Sequence, residues 1–289
     1  MASRQQIKRR IKSVTSTKQI TKAMQLVAAS KLRRAQEAAL GPQEYSRVAR
    51  EMLTRLRQLA ATEPSVNLFT QRPVKRRLII AITSDRTLAG AYNVNVIRRV
   101  INELKDDQQK GIATEVIAVG RQVANSMSRI QGITVAGVYT EFADRPTAND
   151  IRPILTTIVE RFSNEEIDQV DLIYTHFAST ISQVVESHQL LPAGFEEEPM
   201  NDEIMHATIE PSVEELLLST TVRLLEVQIY QAMLEANASE QSMRMIAMKN
   251  ATDNANDLID DYTLEYNTAR QSAITQELAE IAGGAEAMK

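Results

Sequence analysis

The sequence has 289 residues, of which 43% are apolar and 24% charged, and this composition is normal for a water-soluble chain of one or two domains. It contains no cysteine, which excludes disulfides, thiolate metal sites and thiol nucleophiles, and no apolar run of about 18 residues that would span a membrane. The net charge of −4 conceals an asymmetry: residues 1–36 carry ten Lys or Arg and no acid, whereas residues 212–289 carry 13 acids against five bases.

Glycine and proline, the residues that interrupt helices, are almost confined to the middle of the chain. All eight prolines and seven of the nine glycines lie between Gly41 and Pro211. The run 212–282 contains neither residue and would reach about 107 Å as one helix at 1.5 Å per residue. The sequence therefore predicts long terminal helices, the first over residues 6–40, with a break or bend at Gly41-Pro42 before a second helical stretch over residues 44–61.

Apolar residues recur at three- and four-residue steps in both terminal segments, as they do along the seam of a coiled coil. Ser239 and Asn250 interrupt the C-terminal stripe, which indicates a change of register there. Because the two segments also carry opposite charge, we expect them to pair as an antiparallel coiled coil. The seam residues predicted from this spacing are Ile11, Val14, Leu225, Ile229, Leu258 and Tyr262.

Between the terminal segments, short β-branched runs alternate with helical patterns. Strands are predicted over residues 77–83, 114–119, 134–139, 171–177 and 180–190, the last of them antiparallel. Helices are predicted over residues 93–109, 121–129 and 149–162, with Pro153 in the first turn of the third. This alternation predicts a Rossmann-like α/β domain with a mainly parallel sheet. The predicted domains are residues 1–61, 74–200 and 211–289.

The turn after the first predicted strand is where a phosphate-binding loop would lie in an α/β domain. Residues 84–90 contain one glycine and match neither GxGxxG nor GxxxxGK[ST], so a tight turn with Ser84 or Asp85 as a cap is favoured over a nucleotide site. The three histidines have no metal-ligand spacing: His176, His188 and His206. We therefore predict no catalytic residue, no cofactor and no metal, and do not expect the chain to be an enzyme.

The basic N-terminal segment leaves other interpretations open on composition alone. It fits an organelle transit peptide or a helix that neutralises the phosphates of a nucleic acid. A small-molecule enzyme built on the α/β domain is a third possibility. The regular apolar stripe favours a packed helix, which a cleaved presequence does not need.

Three blocks of sequence resemble one known family. The N-terminal block comprises residues 11–14 (IKSV), 20–24 (ITKAM) and 27–33 (VAASKLR), the C-terminal block is residues 274–285 (ITQELAEIAGGA), and the third lies within residues 237–255. Together they closely resemble the γ subunit of F-type ATP synthase, in that family's order and over the whole chain.

The chain departs from the family pattern at Thr87, where a glycine is usual, and this leaves the shape of that turn open. It lacks the cysteine-bearing insertion of chloroplast-type members, so thiol control is not expected. Because the family block begins within the first dozen residues, the resemblance argues against a transit peptide and implies a bacterial origin.

The resemblance implies a central rotor stalk that couples proton- or sodium-driven rotation of the membrane c-ring to the catalytic cycle of the β subunits. The implied partners are the hexamer of α and β subunits, the ε subunit and the c-ring, with one copy of this chain per complex. Nucleotide chemistry would belong to β. The implied location is peripheral, on the cytoplasmic face of the bacterial plasma membrane.

Particular residues take roles from this resemblance and from their positions in the chain. The residues that match hexamer-contacting positions of the family are Met24, Arg270, Gln271, Thr275 and Glu277. The residues expected at the foot of the stalk, against the c-ring or ε, are Arg33, Arg34, Ile209 and Glu210.

Overall fold

The computed structural model describes residues 4–60, 67–142, 146–193 and 213–286, and of residues 40–47 and 49–60 it describes only the backbone. The chain divides into two compact units, of which one comprises Met1–Ala28 with Arg244–Lys289 and the other Ala29–Met243. No helix in the described ranges has an apolar stretch of the length and hydropathy that a bilayer crossing requires.

Two long helices, one near each end of the chain, contribute residues to both units. Helix α1 extends over Arg4–Ala60 and helix α5 over Val213–Glu286. The predicted break at Gly41-Pro42 is absent, since α1 stays helical through both residues. A proline inside a helix removes one backbone hydrogen bond and its ring crowds the carbonyl four residues earlier, but the helical segments on both sides are long enough to continue through it.

The α/β portion contains one five-stranded sheet, with strand order β3-β2-β1-β4-β5. Strands β1 to β4 are parallel, and β5 is antiparallel to β4, as the sequence predicted. The strands are β1 Arg76–Ile82, β2 Ala113–Val119, β3 Thr134–Tyr139, β4 Gln169–Phe177 and β5 Gln183–Leu191. The helices between them are α2 Tyr92–Lys110, α3 Arg121–Met127 and α4 Ala148–Ser163. The predicted fold class, α/β with a mainly parallel sheet and long terminal helices, is confirmed.

Two local expectations differ from the structure. Strand β5 begins at Gln183 instead of residue 180, because Ser179 to Ser182 form a turn in which the Ser179 amide donates to the Ser182 carbonyl. Pro153 lies in the second turn of α4 and not in the first. There the proline removes one hydrogen bond and its ring crowds the carbonyl four residues earlier, while a capping box between Thr147 and Asp150 stabilises the N-terminus of the helix.

Each face of the sheet buries its own apolar cluster. Alternate residues of β1 point to opposite sides, so Leu78, Ile80 and Ile82 pack with α4 and with residues 217–236 of α5. Ile79 and Ala81 pack with α2 and α3 on the other side. The apolar stripe of α5 therefore forms part of the core of the α/β unit.

A cluster of buried charges joins α2 to the amino ends of β1 and β4. The Arg77 guanidinium contacts Glu103 at 2.5 Å, Asp107 at 3.0 Å and the carboxylate of Asp171. Burial alone would lower the pKa of Arg77, but these three carboxylates outweigh it and raise that pKa. Burial raises the pKa of Asp171 by more than Arg77 lowers it.

Candidate functional site

The unit formed by residues 1–28 and 244–289 consists of α1 and α5 packed against each other. The hydroxyl oxygens of Thr21 and Thr252 lie 2.8 Å apart, and the Arg10 guanidinium lies 5.8 Å from the ring centroid of Tyr262. The residue nearer the start of α1 therefore faces the residue nearer the end of α5. The two helices are antiparallel in this unit. Ile7 and Ala28 are almost completely buried at the contact.

The helix α5 extends beyond the first described residue of α1. Because Arg10 faces Tyr262 and α1 is described from Arg4, residues 270–282 of α5 lie past that end. This stretch exposes three large apolar side chains, Ile274, Leu278 and Ile281. On the part of α1 that belongs to this unit, the exposed large apolar residues are Ile20, Leu26 and Val27. Exposed apolar side chains in this number indicate a surface that contacts partner proteins.

The residues predicted to contact the hexamer all lie in this unit. Arg270, Gln271, Thr275 and Glu277 are exposed on the extension of α5, and the Thr275 hydroxyl donates to the Gln271 carbonyl of its own helix at 3.0 Å. Met24 is half-buried on α1. The structure thus leaves four of the five side chains open to a partner.

The six predicted seam residues differ in burial. Ile11, Val14 and Tyr262 are half-buried, whereas Leu258 is 45% exposed. Leu225 and Ile229 are buried in the core cluster of the α/β unit, together with strand and α4 side chains. The assignment of all six residues to one coiled-coil seam stays a prediction.

Two of the four foot residues lie in the described chain. Arg33 is highly exposed and pairs with Glu37 at 3.3 Å along the same helix, and Arg34 is also exposed. Ile209 and Glu210 lie outside the described residues, as does His206. Of the other histidines, His188 contacts Glu186 at 2.8 Å and His176 contacts Glu235 at 2.6 Å. Among the described residues no cluster of three or more His, Asp or Glu could hold a metal ion.

The loop after β1 shows what occupies the position of a phosphate loop. The Asp85 carboxylate accepts the amide of Arg121, the first residue of α3, at 2.9 Å and the amide of Glu141 at 2.8 Å. It therefore caps α3, the helix that follows β2, and does not cap α2, the helix that follows its own turn. It also joins the loops that follow β1, β2 and β3. A carboxylate at a helix N-terminus is favoured by the positive end of the helix dipole and accepts from one of the free amides of the first turn.

The next amides of α3 are also engaged. The Gln122 amide donates to the Ser84 carbonyl at 3.2 Å and the Val123 amide to the Thr83 hydroxyl at 3.0 Å. Gly120, at φ +99°, makes this packing possible, since a Cβ there would lie 2.2 Å from the Thr83 carbonyl oxygen. In the turn itself Leu88 and Gly90 adopt positive φ, and Thr87 does not. The threonine is therefore compatible with the turn.

An open groove of about 340 Å³ lies between α2, the end of β4 and the start of β5. Its polar lining consists of amide, hydroxyl and guanidinium groups, including those of Asn95, Arg98 and Gln183. Among the described residues that line it there is no carboxylate or imidazole, the groups that most often act as general acid and base.

Comparison with known proteins gives this architecture its family. The ATP synthase family profile matches residues 3–288. The ATP synthase gamma chain of Exiguobacterium sibiricum is 43% identical over 289 residues, which is all of both chains, and that of Roseiflexus castenholzii is 41% identical over all of this chain and 99% of its own. The chain belongs to the ATP synthase gamma-chain family. The resemblance found in the sequence is thereby confirmed.

Solved structures agree with this assignment. A chain of the central stalk and c-ring structure of the Tetrahymena thermophila mitochondrial ATP synthase is 25% identical, with a TM-score of 0.58 over 80% of this chain and 99% of its own. A chain from the Euglena gracilis mitochondrial enzyme shares the fold at 18% identity, with a TM-score of 0.68 over 99% of this chain and 94% of its own. The family is that of the central stalk of ATP synthase, and nothing in the comparisons supports a nucleic-acid-binding protein.

Proposed function

We propose that this chain is the rotor shaft of an F-type ATP synthase and transmits rotation through the outer surface of its paired helices. The observation that carries the proposal is the antiparallel pair α1 and α5, which exposes large apolar side chains on both helices. A rotating surface that is not axially symmetric offers each surrounding β subunit different contacts at each angle. Such differential contacts shift the conformational populations of the three catalytic subunits in turn.

Met24, Arg270, Gln271, Thr275 and Glu277 are proposed to contact the α and β subunits. The exposure of the four α5 residues supports this role, because they extend past the described start of α1. A guanidinium and a carboxylate there supply charge-assisted hydrogen bonds that are made at some rotor angles and broken at others.

Arg33, Arg34, Ile209 and Glu210 are proposed to contact the c-ring or ε at the foot of the stalk. The exposure of the two arginines on α1 supports this assignment. Cysteine cross-linking from position 209 or 210 to ring loops should give a specific product. Loss of cross-linking at both positions in an assembled complex would count against it.

The chain itself is proposed to be non-catalytic, with ATP chemistry carried out by β. The turn after β1 supports this, because residues 84–90 contain one glycine and match neither phosphate-loop motif. We further propose one copy per complex, a peripheral location on the cytoplasmic face of the bacterial plasma membrane, and the domain division 1–61, 74–200 and 211–289. Protons or sodium ions moving through the c-ring drive the rotation.

Purification from native membranes, followed by identification of the co-purifying subunits, tests the proposal. The rotor function requires α and β at three copies each per copy of this chain, together with ε and the c-ring. Recovery without α and β, or with nucleic acid as the stoichiometric partner, would refute it. A hydrolysis assay of the recovered complex, with inhibitors of β added, shows which subunit carries the chemistry.

A further inference from the structure

Two serines of α5 hydrogen-bond to the backbone at the end of β4. The Ser239 hydroxyl donates to the Thr175 carbonyl at 3.1 Å, and the Ser242 hydroxyl donates to the Thr180 carbonyl, in the turn that follows β4, at 2.8 Å. Both serines are completely buried. Because a serine side chain is small, it allows the helix backbone to approach the strand closely.

A third residue of the same helix face extends this contact. Glu235 lies four residues before Ser239, and its carboxylate lies 2.6 Å from Nδ1 of His176 on β4. An ionised carboxylate can only accept, so His176 donates. The second Glu235 oxygen accepts from Gln231 at 2.7 Å, and the same Gln231 amide lies 3.3 Å from the Ala39 carbonyl of α1. One hydrogen-bonded chain thus joins β4, α5 and α1.

These contacts lie at the end of β4 that is no longer paired with β1. The two strands pair only as far as Ile173, so the last residues of β4 lie beyond that ladder. The serine hydroxyls bind at this end of the strand. Apolar packing is non-directional and permits sliding, whereas hydrogen bonds to fixed carbonyls are directional. This explains why the apolar stripe of α5 is interrupted at Ser239.

We propose that Glu235, Ser239 and Ser242 form a joint that fixes the rotational position of the α/β domain about α5. The joint is where torque passes between the sheet and the long helix, which continues past Met243 to Glu286. This inference rests on the proposed rotor function and assigns the contact that transmits torque to three positioning residues. They act through the hairpin of β4 and β5 and do not contact nucleotide.

The test is a double substitution, Ser239→Ala with Ser242→Ala, in the complete reconstituted ATP synthase. Each substitution removes one hydroxyl and leaves no cavity of methyl size. The first readout is hydrogen–deuterium exchange at the amides of residues 178–182. The second is the angular spread of a probe on the α/β domain, measured with the hexamer immobilised and rotation stalled. Because one hydrogen bond shifts an equilibrium by about fivefold, exchange through opening of the hairpin should rise by roughly 25-fold.

The angular distribution of the stalled probe should also broaden, and ion pumping per ATP should fall under load while ATP hydrolysis is retained. The matched control is Ser126→Ala in α3, whose hydroxyl donates to the Gln122 carbonyl of its own helix at 2.8 Å. The control should leave the angular distribution unchanged.

A double variant with the wild-type angular distribution and pumping ratio would overturn the joint, as would equal broadening in the control. If the double variant does not assemble, Ser239→Ala and Ser242→Ala are measured singly, each with an expected rise in exchange of about fivefold. Failure of the rotor function itself is distinguishable, because the wild-type complex would then show neither rotation nor pumping.

Discussion

Replacing Arg77 by methionine should strongly destabilise the α/β unit, because one guanidinium holds three carboxylates together. Arg77 is hydrogen-bonded to Glu103, Asp107 and Asp171, and the two aspartates retain only 4% side-chain exposure. Methionine keeps most of the volume and removes the charge and the donors. The change therefore isolates the electrostatic role of the residue.

The magnitude follows from the burial of the acids that are left behind. Removal of one partner from a buried ion pair costs about 3–5 kcal/mol, because an uncompensated charge stays in the interior. This is a large share of the roughly 5–15 kcal/mol by which a domain is stable. Arg77→Lys should be destabilised less, since an ammonium keeps the charge but cannot bind three carboxylates at once.

The effect should depend on pH in a defined direction. Burial raises the pKa of Asp171 in the folded state, so its contribution to stability is present below its unfolded pKa and is lost as pH rises. Without Arg77 that pKa rises further. The pKa of Glu103 is lowered, against its burial, by Arg99 and Arg77, so its contribution is lost as pH falls, and the variant loses part of that contribution. The deficit of Arg77→Met should therefore be largest near neutral pH and shrink towards about pH 4–5.

Urea unfolding of the purified chain at two pH values measures both effects. Arg99→Met is the matched control, since Arg99 is half-exposed and pairs with Glu103 at 2.8 Å; we expect it to cost less than about 1 kcal/mol. An Arg77→Met variant as stable as the control at neutral pH would refute the reasoning. So would a deficit that is the same at both pH values.

Three further outcomes are expected. Met24→Lys should uncouple ion transport from ATP synthesis in membrane vesicles while ATP hydrolysis continues. Met24→Leu is the control, and normal coupling in Met24→Lys would contradict a contact role for Met24. Leu225→Asp or Ile229→Asp should cost about 3–5 kcal/mol in urea unfolding, because a carboxylate would enter a buried apolar cluster; exposed Leu258→Asp should cost far less. Calorimetry with the purified chain at about 150 mM salt should detect no saturable, magnesium-dependent ATP binding. Binding of that kind would revive a nucleotide site near residues 84–90.

The sequence determined the family, the long terminal helices and the mixed sheet. The strand over residues 134–139 was predicted with the bounds that the structure has. Periodicity and the positions of glycine and proline are local signals, and the physical causes of helix and strand act over the same short range. The motifs that carry the family resemblance are likewise continuous stretches of sequence.

Tertiary structure alone decided which side chains meet across the chain. Asp85 caps a helix that begins 36 positions later, and Ser239 binds a carbonyl 64 positions earlier. Leu225 and Ile229 follow a spacing that suits a coiled-coil seam, and in the α/β unit they belong to the buried apolar cluster that includes residues of the sheet and α4. A repeat of three and four residues specifies an apolar helix face but not its partner, because burial of apolar area is non-directional. The partner is decided only when the whole chain packs.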